Sequence, residues 1–151
     1  MLLGIFLPGE SHTSYSPKLG FHSSGSHLQK QAKSVQALTD LGILTRDSLR
    51  SHCECQGTPS SFISLTENTK WLLEVSPLAK RSLLTDDHRQ VAFVSVERLQ
   101  PMGVIYQRSD MLAVQAQIPT YSQGQQDGVR YTSVDHWLAY DWIPTNASKR
   151  S

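Results

Sequence analysis

Ser64 and Thr66 sit two residues apart in the stretch TPSSFISLTENTKWLLEVSP, Thr58 to Pro77. On a strand, side chains two apart share a face, so both hydroxyls point the same way. Hydroxyls on short stems of a rigid strand donate and accept from fixed positions, which suits the ordering of a bound ligand. Phe62 and Ile63, by contrast, are core formers. The segment therefore fits either a half-buried structural strand or one wall of a binding cleft. Thr66 also stands before a helical pattern over about 67–76, where it fits as the N-cap with Glu67 at the positive end. Ser64 is then the hydroxyl left for a ligand.

Other candidates for chemistry are weaker. Cys53 and Cys55 in HCECQ are separated by one residue. That spacing strains a mutual disulfide, and zinc pairs are usually separated by two to four residues. Reduced thiols are the plainer reading, and they fit an intracellular, cytoplasmic setting. His52 precedes Cys53 directly, but sequence neighbours on a helix or strand point apart, so no thiolate–imidazole pair is implied. Asp86-Asp87-His88 reads as a solvated turn. His12, His22 and His27 lack the four-residue spacing of ligands on one helix face. No metal site is expected.

Gly20 and Gly25 lack the Lys-Ser/Thr of a phosphate loop, and no G-x-S-x-G elbow occurs. No catalytic residue is assigned from these patterns. Tyr131, Trp137, Tyr140 and Trp142 gather near the end of the chain, with Trp137 expected on the opposite face from Tyr140 and Trp142. Core packing is their default role. A contiguous exposed patch of them would instead serve a protein partner. Basic residues are not interleaved among them, so a nucleic-acid stacking platform is not expected.

The 151 residues suit one domain. Hydrophobic residues make up 38% and charged residues 18%, so long polar loops should surround the core. A net charge of +1 gives no field for nucleic acid. No run reaches the ~18 apolar residues of a membrane helix. The opening MLLGIFLPGE has neither a basic flank nor a cleavage site, so a signal peptide is set aside. It reads as a short first strand or a ragged end. Asn146-Ala147-Ser148 matches a glycosylation triplet of the kind that arises by chance.

Residues 8–34 read as loop, with one short strand near Leu19–His22. Ala32, Val35, Leu38 and Leu41 recur at helical spacing and predict a helix over about 28–41. TRDSLRSHCE predicts a second helix, capped by Thr45 with Asp47 in its first turn. A strand over 61–65 and the helix after it follow. QVAFVSVERL is apolar on both faces, as in a central covered strand. GVIY is a short extended piece, RSDMLAVQAQI a short helix with a strand as the alternative, and VDHWLAYDWIP a strand stopped by Pro144. The fold class is α+β, a short-stranded mixed or antiparallel sheet with flanking helices. The expected organisation is a flexible segment 1–18, a domain 19–144 and a polar tail 145–151.

Four pieces in order, LGFHSSGS, SLRSHCECQGTPSSFISLTENTKWL, QVAFVSVERL and DHWLAYDWIP, resemble an uncharacterised fungal domain family. The matching residues are Leu49 and His52, Thr58 to Thr66, Val91 to Leu99, and His136 to Pro144. That family in turn resembles the ADP-ribosyltransferase fold of the toxin type. The resemblance implies that Ser64 and Thr66 order the nicotinamide end of an NAD cleft. It also implies an Arg on the first strand and a Glu on a late one. Here no Arg precedes Arg46, and the Glu slot reads His136-Trp137-Leu138, with Asp135 one residue off. A one-residue shift on a strand turns a side chain to the other face. The expectation is a transferase-like domain with degenerate catalytic residues and a nucleotide or protein ligand. The alternative is a non-catalytic interaction module built on the C-terminal aromatic strand.

Overall fold

A computed structural model describes residues 2–5, 13–16, 18–25, 32–54, 59–74, 92–120 and 128–150. The elements run β1 Leu2–Ile5, β2 Thr13–Ser16, β3 Gly20–Ser23, α1 Val35–Asp40, α2 Arg46–Cys53, β4 Phe62–Thr66, α3 Thr69–Glu74, β5 Ala92–Ser95, α4 Val96–Leu99, β6 Tyr106–Arg108, α5 Ser109–Gln115, β7 His136–Tyr140, β8 Trp142–Ile143 and β9 Ser148–Arg150. A 3₁₀ turn at Thr145–Ala147 precedes β9. Six strands form one sheet in the order β6-β7-β4-β1-β5-β9, and three form a second in the order β2-β3-β8. Every strand pair in both sheets is antiparallel. Of the two sheet types expected, the antiparallel one is present, and the fold class is α+β.

Strand periodicity divides the core. Ile63, Leu65 and Ala139 pack with Phe21 of β3 and Ile143 of β8, so one face of the large sheet meets the small sheet. Phe62, Leu138 and Tyr140 pack with Leu38, Leu49 and Leu112, so the other face meets α1, α2 and α5. Both faces of β4 and β7 are thus covered, and all five residues of β4 are buried. Gln115 of α5 donates to the Val35 carbonyl at 3.1 Å and ties α5 to α1.

The helix α2 begins as its residues dictate. Thr45 Oγ1 accepts from Ser48 N, and Ser48 Oγ accepts from Thr45 N, a reciprocal cap. Asp47 stands in the first turn, where the dipole favours it. Helix α1 starts at Ser34, whose hydroxyl accepts from Ala37 N. Residues 28–31 of the expected helix lie outside the described residues.

Five expectations change. Segment 1–18, expected to be flexible, supplies β1 between β4 and β5 of the large sheet, and β2 of the small one. The expected polar tail supplies β9, paired with β5. Of the two readings of MLLGIFLPGE the short first strand is present, and ladder bonds to β4 and β5 hold it from both sides.

Within the described part of QVAFVSVERL the strand runs over Ala92–Ser95 and the chain turns helical from Val96. Ser95 pairs with Leu2 of β1 in the last described rung, and the helical turn follows directly. Glu97 and Arg98 then take the exposed side of a single turn.

VDHWLAYDWIP divides at Asp141, which has φ +69° and passes the chain from the large sheet to the small one. Finally, Thr66 stays in β4 and does not begin the next helix. Asn68 Oδ1 accepts from Trp71 N at 2.9 Å and caps α3, Thr69–Glu74; residues 75–76 of the expected helix lie outside the described residues.

Candidate functional site

Ser64 and Thr66 do share one face of β4, together with Phe62. Directly opposite them on β7 are Leu138, His136 and Tyr140 respectively. Residues opposite one another in an antiparallel pair present side chains to the same face. One sheet face therefore runs from Phe62 and Tyr140, through Ser64 and Leu138, to Thr66 and His136. Helix α2 covers the first end. Trp71 and Tyr131 lie over the other.

At the α2 end, His52 bridges two hydroxyls. Its Nε2 is 2.7 Å from Ser64 Oγ, and its Nδ1 is 2.7 Å from Ser60 Oγ. The ring also meets Phe62 edge-on, with centroids 6.0 Å apart. Helical spacing delivers His52 to this place. Leu49, three residues earlier, is fully buried, and side chains three apart share a helix face. That spacing, together with the hydroxyl pattern Ser60–Ser64, was the available signal for a contact that sequence reasoning missed. Ser64 is 4% exposed, sealed between sheet and helix. A serine hydrogen-bonded to histidine is the arrangement of an activated nucleophile. A substrate carbon, however, has no path to an oxygen buried this deeply. His52 and Ser60, not Ser64, line the adjoining cleft.

At the other end, Thr66 is 1% exposed and committed. Its hydroxyl donates to the Asp135 carbonyl at 3.2 Å and accepts from Asn68 N at 3.1 Å. It fixes the turn between β4 and α3. The ring of Trp71 meets His136 at 5.0 Å and Tyr131 at 5.9 Å, both edge-on. Tyr131 has φ +63°, a left-handed conformation unusual for an aromatic residue. His136 Nδ1 is 2.8 Å from Ser133 Oγ. Burial pushes the His136 imidazole from 6.5 down to about 4, against a smaller upward pull from Asp135. The ring is neutral at physiological pH.

The basic group on the neighbouring strand is already engaged. Arg108 grips Asp110 through two bonds of 3.0 and 2.7 Å, and this bond is the chief reason the Asp110 carboxyl is held below its ordinary range. Gly4 of β1 lies opposite Thr66 on the other side of β4. The rung across three strands is thus Gly4, Thr66, His136, with no ionised side chain in it.

Cys53 lies in the helix-side core as a small hydrophobe, 2% exposed. Among the described residues no group of three His, Cys, Asp or Glu side chains gathers in a way that could hold a metal ion. Cys55, His12, His27 and the Asp86-Asp87-His88 triplet lie outside the described residues. No described helix is long and apolar enough to cross a membrane.

The model of a domain family described as a domain of unknown function, DUF7587, matches residues 8–147. The chain belongs to that family. The match takes in β2 to β8, and so both ends of the site face. No curated protein and no solved structure matches the chain.

Proposed function

We propose that this DUF7587 domain is an ADP-ribosyltransferase-like domain that has lost its catalytic residues and keeps a site for NAD or a related nucleotide. The supporting observation is the rung Gly4–Thr66–His136. The resemblance in sequence calls for a guanidinium on the first strand, a hydroxyl on the middle one and a carboxylate on a late one. The first strand, the hydroxyl strand and the late strand are adjacent and in register here. The hydroxyl remains on its strand but is spent on the turn to α3, and the two charged positions hold Gly4 and a neutral His136.

Loss of the charges removes the chemistry. An oxocarbenium-like centre is stabilised by a nearby negative charge placed in advance, and a pyrophosphate by a guanidinium. Asp135 does not fill the carboxylate slot, because it lies in the turn before β7 and the rung position opposite Thr66 belongs to His136. The half-exposed edges of Trp71 and Tyr131 offer aromatic surface for a planar ring at this end of the sheet.

The test is incubation of the full chain with NAD labelled in the adenylate and, separately, in nicotinamide. The expected result is no transfer and no nicotinamide release above background, with NAD shifting the NMR resonances of Trp71 and His136. Turnover would overturn the loss of catalysis. Unmoved resonances at millimolar NAD would overturn the binding site. The alternative, an interaction module on the C-terminal aromatics, has less behind it. Trp137 faces the small sheet, Tyr140 is buried against the helices, and Trp142 donates to the Leu19 carbonyl and stacks on His22.

A further inference from the structure

Between α2 and the start of β4 lies a cleft of about 330 Å³. Its walls include Ile43, Pro59, Thr45, Asp47, Ser60 and Ser61. The protons of the Ser60–His52–Ser64 bridge determine what this cleft presents. A neutral imidazole donates from one nitrogen and accepts at the other. Two hydroxyls flank it, so one of them donates to the ring and the other accepts from it. The accepting hydroxyl has its own proton left over.

If Ser64 accepted, its leftover proton would be trapped in a site 4% exposed, where among the described residues Ser64 Oγ bonds to His52 alone. A buried donor without an acceptor is costly. Ser64 therefore donates to Nε2, and Nδ1–H donates to Ser60 Oγ. Ser60 Oγ also accepts from Phe62 N at 3.1 Å, so both its lone pairs are used. Its own O–H is left over, nine-tenths buried and at the cleft wall. This also makes Ser60 a donor rather than a nucleophile.

The rest of the lining supplies the complement. Asp47 brings a carboxylate acceptor at the exposed first turn of α2. Thr45 Oγ1 accepts from Ser48 N and has its proton to give. Ser61 adds a further hydroxyl, and Ile43 and Pro59 add apolar surface. We propose that this cleft binds a neutral polyhydroxyl ligand, a furanose or pyranose ring, whose adjacent hydroxyls donate to Asp47 and whose ring or hydroxyl oxygen accepts from Ser60. The carboxylate disfavours an anion, and the several hydroxyl donors disfavour a purely apolar guest. A cleft of this size accommodates one sugar ring. The site stands apart from the nucleotide reading, which rests on the Thr66 end of the sheet.

Two measurements on the full chain test it. Long-range ¹H–¹⁵N correlation reports the His52 tautomer. The Nδ1–H form is expected, and the Nε2–H form would overturn the proposal. NMR titration then uses methyl β-D-ribofuranoside, methyl α-D-glucopyranoside and myo-inositol, with ribose 5-phosphate and n-butylammonium as charged probes. At least one neutral probe should bind saturably, more tightly than either charged one. Ser60→Ala and Asp47→Asn should each weaken it roughly tenfold. Asp47 is a surface residue, so its substitution keeps the test valid if Ser60→Ala fails to fold. No saturable neutral binding, tighter binding of butylammonium or ribose 5-phosphate, or undiminished binding by Asp47→Asn would each overturn the assignment.

Discussion

His52 Nε2 stands 2.7 Å from Ser64 Oγ, and this bond fastens helix α2 to the buried strand β4. The strand's period-two pattern turns Ser64 toward the helix side, and the helix spacing from Leu49 turns His52 toward the strand. The same bond locates the hydroxyl donor of the cleft, because it leaves Ser60 with a proton to offer.

The His52–Ser64 bond should couple the two residues energetically. Ser64→Ala removes one partner of a buried bond and should destabilise the fold by about 1–3 kcal/mol. A double-mutant cycle with His52→Phe, followed by urea unfolding, should return a coupling of at least ~0.5 kcal/mol, as expected for residues in contact. Strict additivity would mean that the bond contributes nothing.

Stability should fall on mild acidification because of His136. Its pKa is lowered from 6.5 to about 4 in the folded state, so the unfolded chain binds the proton more readily between those values. The contribution of the neutral ring is fully present above about pH 6.5 and is lost as pH falls toward 4. Its full size is on the order of 3 kcal/mol. Urea midpoints from pH 7 to pH 4 should show this slope, and His136→Gln should flatten that part of it. An unchanged slope in the variant would rule His136 out as the source.

Asp141 joins the two sheets from a left-handed conformation, at φ +69°. Its carboxylate accepts from Ser23 Oγ at 3.2 Å, and its backbone bonds Ser61 and Ser23. Asp141→Ala keeps the strain and loses the side-chain bond, for a cost of about 1–3 kcal/mol. Asp141→Asn tolerates the conformation and should cost less. Thermal melting distinguishes the two; equal losses would mean that the backbone conformation is not the constraint.

Gly20 has φ +95°, and a Cβ there would run into the Ile143 carbonyl and the backbone of Pro144 and Thr145. Gly20→Ala should open the contact between β3 and β8 and destabilise the fold by more than ~3 kcal/mol, through steric clash added to backbone strain. Gly42, at φ +72° with open space around it, is the control. Gly42→Ala should cost only about 1 kcal/mol, from the conformation alone. Comparable chemical-denaturation midpoints for the two variants would contradict the crowding argument.

The sequence by itself determined the local features. Thr45 and Asp47 announced the start of α2, the alternation of Phe62 to Thr66 placed Ser64 and Thr66 on one face, and Met111 to Gln115 marked a helix. Each depends on neighbours within one turn or one strand, where sequence spacing and spatial spacing coincide. The tertiary structure decided the rest. Leu2–Ile5 is a central strand only because β4 and β5 bond it from both sides. Trp142 leaves the sheet of Trp137 because Asp141 turns between them in a conformation that aspartate rarely signals. His52 meets Ser60 and Ser64 because α2 packs across β4, and the Gly4–Thr66–His136 rung exists because three distant segments pair in one register. Long-range pairing and the burial of a polar group depend on what lies opposite, and no short window of sequence contains that partner.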